Sequence, residues 1–159
     1  MIRECTDADL AAMAAVINAA AEAYRGVIPE DCWHEPYMPE PELRGEMAAG
    51  VRFRGIDEAG RLVAVMGRQP VEDVTLIRHA YVAPPHQSRG HGAALLADLS
   101  RDVDGPLLVG TWRAAAWAIG FYRRHGFHLA GDEETDRLLR RYWTVSARQR
   151  ACSVVLCRL

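Results

Sequence analysis

The chain contains no lysine: its nineteen basic residues other than histidine are all arginine. Without lysine there is no Gly-Lys-Ser/Thr core for a P-loop, which excludes the usual nucleoside triphosphate hydrolase. Arginine suits bidentate contact with phosphate and carboxylate, but so complete a bias reads first as codon usage. No run of eighteen apolar residues exists, so no membrane-spanning helix is expected. Acidic residues precede any apolar run in Met1-Ile-Arg-Glu-Cys-Thr-Asp7, unlike a secretory signal, and a cytoplasmic location is expected. The four cysteines, Cys5, Cys32, Cys152 and Cys157, form no C-x-x-C pair. Their spacing fits neither a zinc site nor a disulfide framework, so free thiols and no metal are expected. Strong charge of one sign is missing as well. The net charge of −2 and pI near 6.3 lack the basic excess of a dedicated nucleic-acid binder. There is no internal repeat and no low-complexity tract, although residues 8–23 are rich in alanine.

What is present is ordinary globular composition. Half of the 159 residues are hydrophobic and a quarter are charged. A chain of this length buries roughly 68–70% of its unfolded surface, so one domain spanning 1–159 needs no metal or disulfide to hold it. Its length leaves monomer and homodimer equally open.

Ile2 to Cys5 reads as a short strand, and Thr6 as a helix cap with Asp9 as a weak capping-box acid. Leu10, Met13, Ile17, Ala20 and Tyr24 then recur at helical spacing. Four prolines in residues 27–41 exclude a long regular element there, so an aromatic-rich loop is expected. A short helix follows from Pro41 towards Gly50. Val51–Ile56 and Arg61–Gln69 read as a hairpin about Asp57-Glu-Ala-Gly60, and Val74–Val82 as a third strand. If no bulge intervenes, that strand puts Leu76, Arg78, Ala80 and Val82 on one side, and Thr75, Ile77, His79 and Tyr81 on the other. Gly90 opens a helix carrying Leu95, Leu96 and Leu99. Leu107–Gly110 reads as a buried strand, and Ala114 to Phe121 as a helix. A strand around Phe127–Ala130, a helix over Asp136–Trp143 and a closing strand over Cys152–Leu159 complete the chain. The order predicts an α/β (α+β) mixed sheet, twisted and central, flanked by helices.

The most informative segment is Gln87-Ser-Arg-Gly-His-Gly-Ala93, where a strand has ended and a helix must begin. Glycine admits positive φ and close approach of the backbone. A run of N–H groups at the positive end of a helix suits a phosphate or diphosphate. A dinucleotide fingerprint would require Gly or Ala where Leu95 stands. An ordinary turn with a helix cap is the plain alternative.

Gln87-x-x-Gly-x-Gly followed by Ala-Ala-Leu-Leu resembles the acyl-coenzyme A signature of the GNAT superfamily of N-acetyltransferases. Met1-Ile-Arg-x-x-Thr-x-x-Asp9 is similar to that family's opening, and Ala80-Tyr-Val-x-Pro84 to its fourth strand. Ala118-Ile-Gly-Phe-Tyr-Arg-Arg-His-Gly-Phe127 is similar to its second signature. The resemblance covers roughly residues 1–130. It implies a splayed mixed sheet with acetyl-coenzyme A, the co-substrate, wedged between the fourth and fifth strands. Backbone groups near Tyr81 and Val82 would then bond the pantetheine arm and supply oxyanion donors. The segment Gln87, Ser88, Arg89, Gly90, His91, Gly92 and Ala93 would hold the diphosphate, with Arg89 adding a charge-assisted bond. The sequence departs from the family in one place: where an asparagine often contacts the cofactor arm, Ala115 stands, and Thr111 or the backbone is the substitute.

Acetyl transfer to an amine requires a neutral nucleophile, donors for an oxyanion and a proton for the departing thiolate. By resemblance Tyr122 is the general acid, because a phenol with pKa near 10 stays protonated at neutral pH. His79 is the candidate base, its ordinary pKa of about 6.5 suiting an ammonium; water, His34 or Glu35 are rivals. Trp33, His34, Glu35 and Tyr37 are candidate acceptor contacts, with Glu35 attracting a cationic amine, or else simply a rigid loop covering the core. Trp112 and Trp117 read as core or cofactor-wall residues. His91 and His125 read as surface side chains, and Arg123, Arg124, Arg137, Arg140 and Arg141 as solvated helix faces. The expected function is acetyl transfer to a primary amine of a small molecule or peptide. The alternatives are a catalytically silent acyl-coenzyme A sensor and a toxin acetylating charged transfer RNA.

Overall fold

A computed structural model describes all residues 1–159. Seven strands form one mixed sheet: β1 (Ile2–Glu4), β2 (Arg52–Glu58), β3 (Arg61–Val71), β4 (Val74–Val82), β5 (Leu107–Trp112), β6 (His128–Leu129) and β7 (Ser153–Arg158). Their order is β1-β2-β3-β4-β5-β7-β6. The helices are α1 (Leu10–Ala21), α2 (Glu40–Ala48), α3 (His91–Ser100), α4 (Ala116–Arg124), α5 (Asp132–Tyr142) and α6 (Ala147–Ala151). No helix is long and apolar enough to cross a membrane.

Local chemistry explains most boundaries. Asp9 accepts the Thr6 backbone N–H at 2.8 Å, and its carboxylate also pairs with Arg3, which fixes the entry into α1. The apolar stripe of α1 is buried throughout, with Met13 and Ile17 fully inaccessible. α1 and α2 cover one sheet face around Phe53, Val65 and Leu43. α3 and α4 cover the other, where Leu95, Leu96, Tyr122 and Phe127 pack on Ile77, Val109 and Leu156. Burying a Leu or Phe side chain in this way contributes roughly 1.5–3 kcal/mol each. α5 begins a turn earlier than its apolar pattern predicts, because Asp132, Glu133 and Glu134 favour a helix N-terminus.

Two irregularities in the sheet position the site. First, β4 and β5 pair in parallel only over Thr75–Ile77 and Leu107–Val109. Beyond Ile77 the edge of β4 that faces β5 is unpaired, while its other edge stays on β3 through Val82. Second, the register of β3 on β4 shifts between Val65 and Gly67, so that Met66 opposes two residues. His79 adopts φ +53 at that bulge. The simple alternation is therefore broken: Arg78 and His79 both reach Glu46 of α2, Tyr81 packs on the α1 face, and Ala80 and Val82 pack on the α3 face.

Candidate active site

The opening between β4 and β5 holds a groove of about 660 Å³. One mouth is the turn that precedes α3. The amide of Gln87 donates to Pro84 and that of Ala94 to Gly90, but the six amides from Ser88 to Ala93 have no acceptor within the protein. Ser88 and Gly90 take positive φ of 63° and 83°, which aligns these donors. At Gly92 a Cβ would meet the Phe121 ring at 3.3 Å, so glycine permits the close approach of α3 to α4. Six consecutive donors at a helix N-terminus fit a diphosphate.

The groove runs from this turn along β4 to Tyr122, with Tyr81, Val82, Trp117 and Phe121 among its walls. Tyr122 is 5% exposed. Burial, and secondarily the nearby Tyr24, push its phenol well above the ordinary value, and no protein group hydrogen-bonds it. A phenol so placed is fully protonated at neutral pH. It is a donor, never a base.

A second cavity, about 130 Å³, lies on the α1 side and is lined by Tyr37, Arg78, His79, Thr111, Trp112, Gln149 and Ser153, among others. Tyr24 and Tyr81 line both cavities and so form the partition between them. Trp112 Nε1 donates to Tyr37 Oη at 2.8 Å, and the Tyr24 ring packs on Tyr37 and edge-on to Tyr81. Burial pushes the phenols of Tyr24, Tyr37 and Tyr81 up, Tyr37 to about 12. His79 Nε2 donates to Glu46 Oε2 at 2.5 Å, holding that carboxyl below its ordinary value. In the neutral ring the lone pair is then on Nδ1.

The structure thus gathers Tyr81, Val82, Gln87, Ser88, Gly90, His91, Gly92, Ala93 and Tyr122 around one groove. His79, Thr111 and Tyr37 line the smaller cavity instead. Arg89 lines neither; its guanidinium is exposed and reaches Glu58 at 3.3 Å. His91 is not a surface side chain: together with His86 it hydrogen-bonds Glu58, at 2.8 and 2.6 Å, and both rings border the groove. His125 borders it too, its ring tilted against that of Phe121 at 4.4 Å, as does Arg124. Trp33, His34 and Glu35 line neither cavity. Glu35 is exposed and pairs with Arg25, whose guanidinium lies over the Trp33 ring. His34 is held by the Pro36 carbonyl and stacks on Tyr37. Ala115 is completely buried against Tyr24 and Trp112 and presents no polar group. Trp117 is a groove-wall residue, as one of its two sequence readings has it, and stacks on Tyr24. Sequence reasoning missed Tyr24 as a wall residue and the carboxylates Glu46 and Glu58. Tyr24 was visible only as one more position on an apolar stripe.

A diphosphate cradle opening into a narrow, mostly apolar groove that ends at a buried phenol suits a long acyl carrier, and defines the class as an acyl-coenzyme A transferase. Residues 12–140 match the model of the acetyltransferase (GNAT) domain, and the chain belongs to that family of acyltransferases, whose acyl donor is acetyl-coenzyme A. No curated protein sequence matches it significantly. Among solved structures, the PaiA N-acetyltransferase from Thermoplasma acidophilum, in complex with coenzyme A, is similar with a TM-score of 0.73 at 15% identity, over 99% of this chain and 97% of that one. The ribosomal-protein-S18-alanine N-acetyltransferase from Escherichia coli gives 0.69 at 20% identity, over 99% and 92%. N-acetylglutamate synthase from Neisseria gonorrhoeae, complexed with coenzyme A and L-arginine, gives 0.62 at 21%, over 99% of this chain but 32% of that one. These similarities define a shared fold.

Proposed function

We propose that this chain transfers acetyl directly from acetyl-coenzyme A to a primary amine, with the two substrates meeting at the Tyr24–Tyr81 partition. The observation that carries the reading is the run of six unpartnered amides at one end of a groove whose interior holds the Tyr122 phenol. Acetyl-coenzyme A supplies an activated thioester. The amides of residues 88–93 hold its diphosphate, and the unpaired edge of β4 at Tyr81 and Val82 receives the pantetheine arm as an added strand. Gln87 Nε2 already donates to the Val82 carbonyl at 3.0 Å, so the Val82 N–H is the group left to serve the ligand on that residue. Aromatic walls from Trp117, Phe121 and Tyr24 exclude water from the acyl end.

Tyr122 Oη holds the proton that the departing thiolate takes. On the other side of the partition, His79 Nδ1 or a water beside it accepts the proton of the amine, with Glu46 orienting the ring. Phenol and hydroxyl oxygens of Tyr37, Tyr81 and Thr111 orient the acceptor. They carry no charge, which favours an amine entering in its neutral, nucleophilic form. Four free cysteines are consistent with action in the cytoplasm.

Tyr122→Phe tests the assignment. Removing only the hydroxyl is expected to lower kcat by about 10²-fold or more, the usual range for a general acid, with the Kd of coenzyme A changed less than about twofold. An equal loss in kcat and in coenzyme A affinity contradicts it.

A further inference from the structure

The Pro-rich segment 27–39 and the α6–β7 junction are over a hundred residues apart in sequence and touch at the edge of the smaller cavity. Arg148 of α6 donates to both carboxylate oxygens of Asp31, at 2.8 and 3.1 Å. Next to this clamp are Cys32 and Cys152. Both are free, both half-buried, and both pack on the cluster of Tyr24, Ile28, Trp112 and Ala115. The two thiols are close enough to act on each other electrostatically; of the clamp, Asp31 acts on Cys32 and Arg148 on both. Cys5, by contrast, is buried under β2, and Cys157 lies near α5.

We propose that Cys32 and Cys152 form a dithiol site that a peroxide converts to an intramolecular disulfide, joining the loop to the start of β7. One thiolate attacks the peroxide O–O bond to give a sulfenic acid and release one water. The second thiol then attacks that sulfur, the S–S bond forms, and a second water leaves carrying the proton. The two thiols lose two electrons and the peroxide takes them. At Cys32, burial and Asp31 oppose the thiolate and Arg148 favours it, so the attack draws on the fraction ionised as pH rises. The consequence is local: Tyr37 on the loop and Ser153 beside Cys152 both line the smaller cavity, so the bond pins one wall of that cavity to its floor. Chain-entropy arguments make a cross-link over so many residues stabilising, provided the geometry is unstrained.

The test uses the full-length protein treated with hydrogen peroxide, quenched with iodoacetamide and digested with trypsin without reduction. Cys32 falls in the peptide 26–44. Cys152 shares the peptide 151–158 with Cys157, so a Cys157→Ser background removes the ambiguity. The expected product is a single species joining these peptides, lighter by two hydrogens than their sum and separated by dithiothreitol. Its formation speeds as pH rises, since burial holds the Cys32 thiol above its ordinary value. Amide exchange over residues 27–39 slows in the oxidised protein and does not slow in peroxide-treated Cys32→Ser. Free alkylation of both cysteines after peroxide, sulfinic acid at either without cross-linking, or a disulfide only between molecules would overturn the proposal. A cross-link that leaves exchange over 27–39 unchanged would overturn its effect on the cavity wall. None of these outcomes depends on the acyl-transfer reading.

Discussion

The larger groove and the smaller cavity meet at Tyr24 and Tyr81, yet they are built from different material. The surface at the groove's outer mouth is main chain: a run of amides, with Ser88 and Gly90 in the left-handed region, all within seven consecutive residues. The smaller cavity is made of side chains from α1's end, the Pro-rich loop, β4, β5, α5 and the α6–β7 segment. Backbone donors presented by one turn suit a ligand whose phosphates are invariant. Side chains gathered from distant segments can be exchanged one at a time, which suits the substrate that differs among enzymes sharing a donor. On the proposed reading, the fold would fix one partner through φ and ψ and leave the other to side-chain chemistry.

This contrast can be broken experimentally. Gly90→Ala places a Cβ at φ +83, at a strain of roughly 1–2 kcal/mol, which corresponds to about tenfold in affinity. The expected result is about tenfold weaker coenzyme A binding by calorimetry, with the acceptor KM unchanged; a rise in the acceptor KM alone would merge the two regions. Tyr37→Phe works on the opposite side. It leaves the Trp112 indole N–H without its partner, which costs about 1–3 kcal/mol when that group is buried. A several-fold higher acceptor KM and a lower Tm are expected, with the Kd of coenzyme A the same. The smallest effect concerns acid. Glu46 is held below its ordinary value mainly by the His79 hydrogen bond, so its contribution to stability is present above the unfolded-state pKa and is lost as pH falls through the folded-state one. Thermal scans from pH 6 to about pH 3 are expected to show Glu46→Gln losing less Tm than the wild type on acidification. The difference is on the order of 1 kcal/mol, or about 2–4 °C for a chain of this size. Equal acid slopes would remove Glu46 from the account.

The two regions also differed in how legible they were. The amide turn, the hairpin of β2 and β3, the extent of β4 and the stripe of α1 follow from local rules, because glycine, proline and periodicity act on near neighbours in sequence. The bulge at His79 does not. Nothing in Ile77-Arg-His-Ala-Tyr81 signals an extra residue, since the shift arises from pairing with Met66 and Gly67, where a Cβ on Gly67 would meet Val51 at 2.7 Å. Arg78 and His79 therefore share Glu46 although strict alternation separates them. Trp33, His34 and Glu35 have suggestive chemistry, but at the surface they are engaged by Arg25, the Pro36 carbonyl and the Tyr37 ring. Glu46, Glu58 and the Cys32–Cys152 pair depend on tertiary contacts between segments that local sequence patterns do not connect. Short α6 was invisible because five residues carry no period, and only the Ser146 cap on Gln149 marks it.

The parallel seam between β4 and β5 is three residues long. The sheet is thus two leaves, β1 to β4 and β5–β7–β6, sewn together by a few stitches and the helices laid across them. On the proposed reading, an arm that hydrogen-bonds the bare selvage of β4 would become part of the fabric, and coenzyme A would be a structural thread as well as a reactant. A ligand held there would stabilise the folded state by mass action, most directly across the seam between the two leaves.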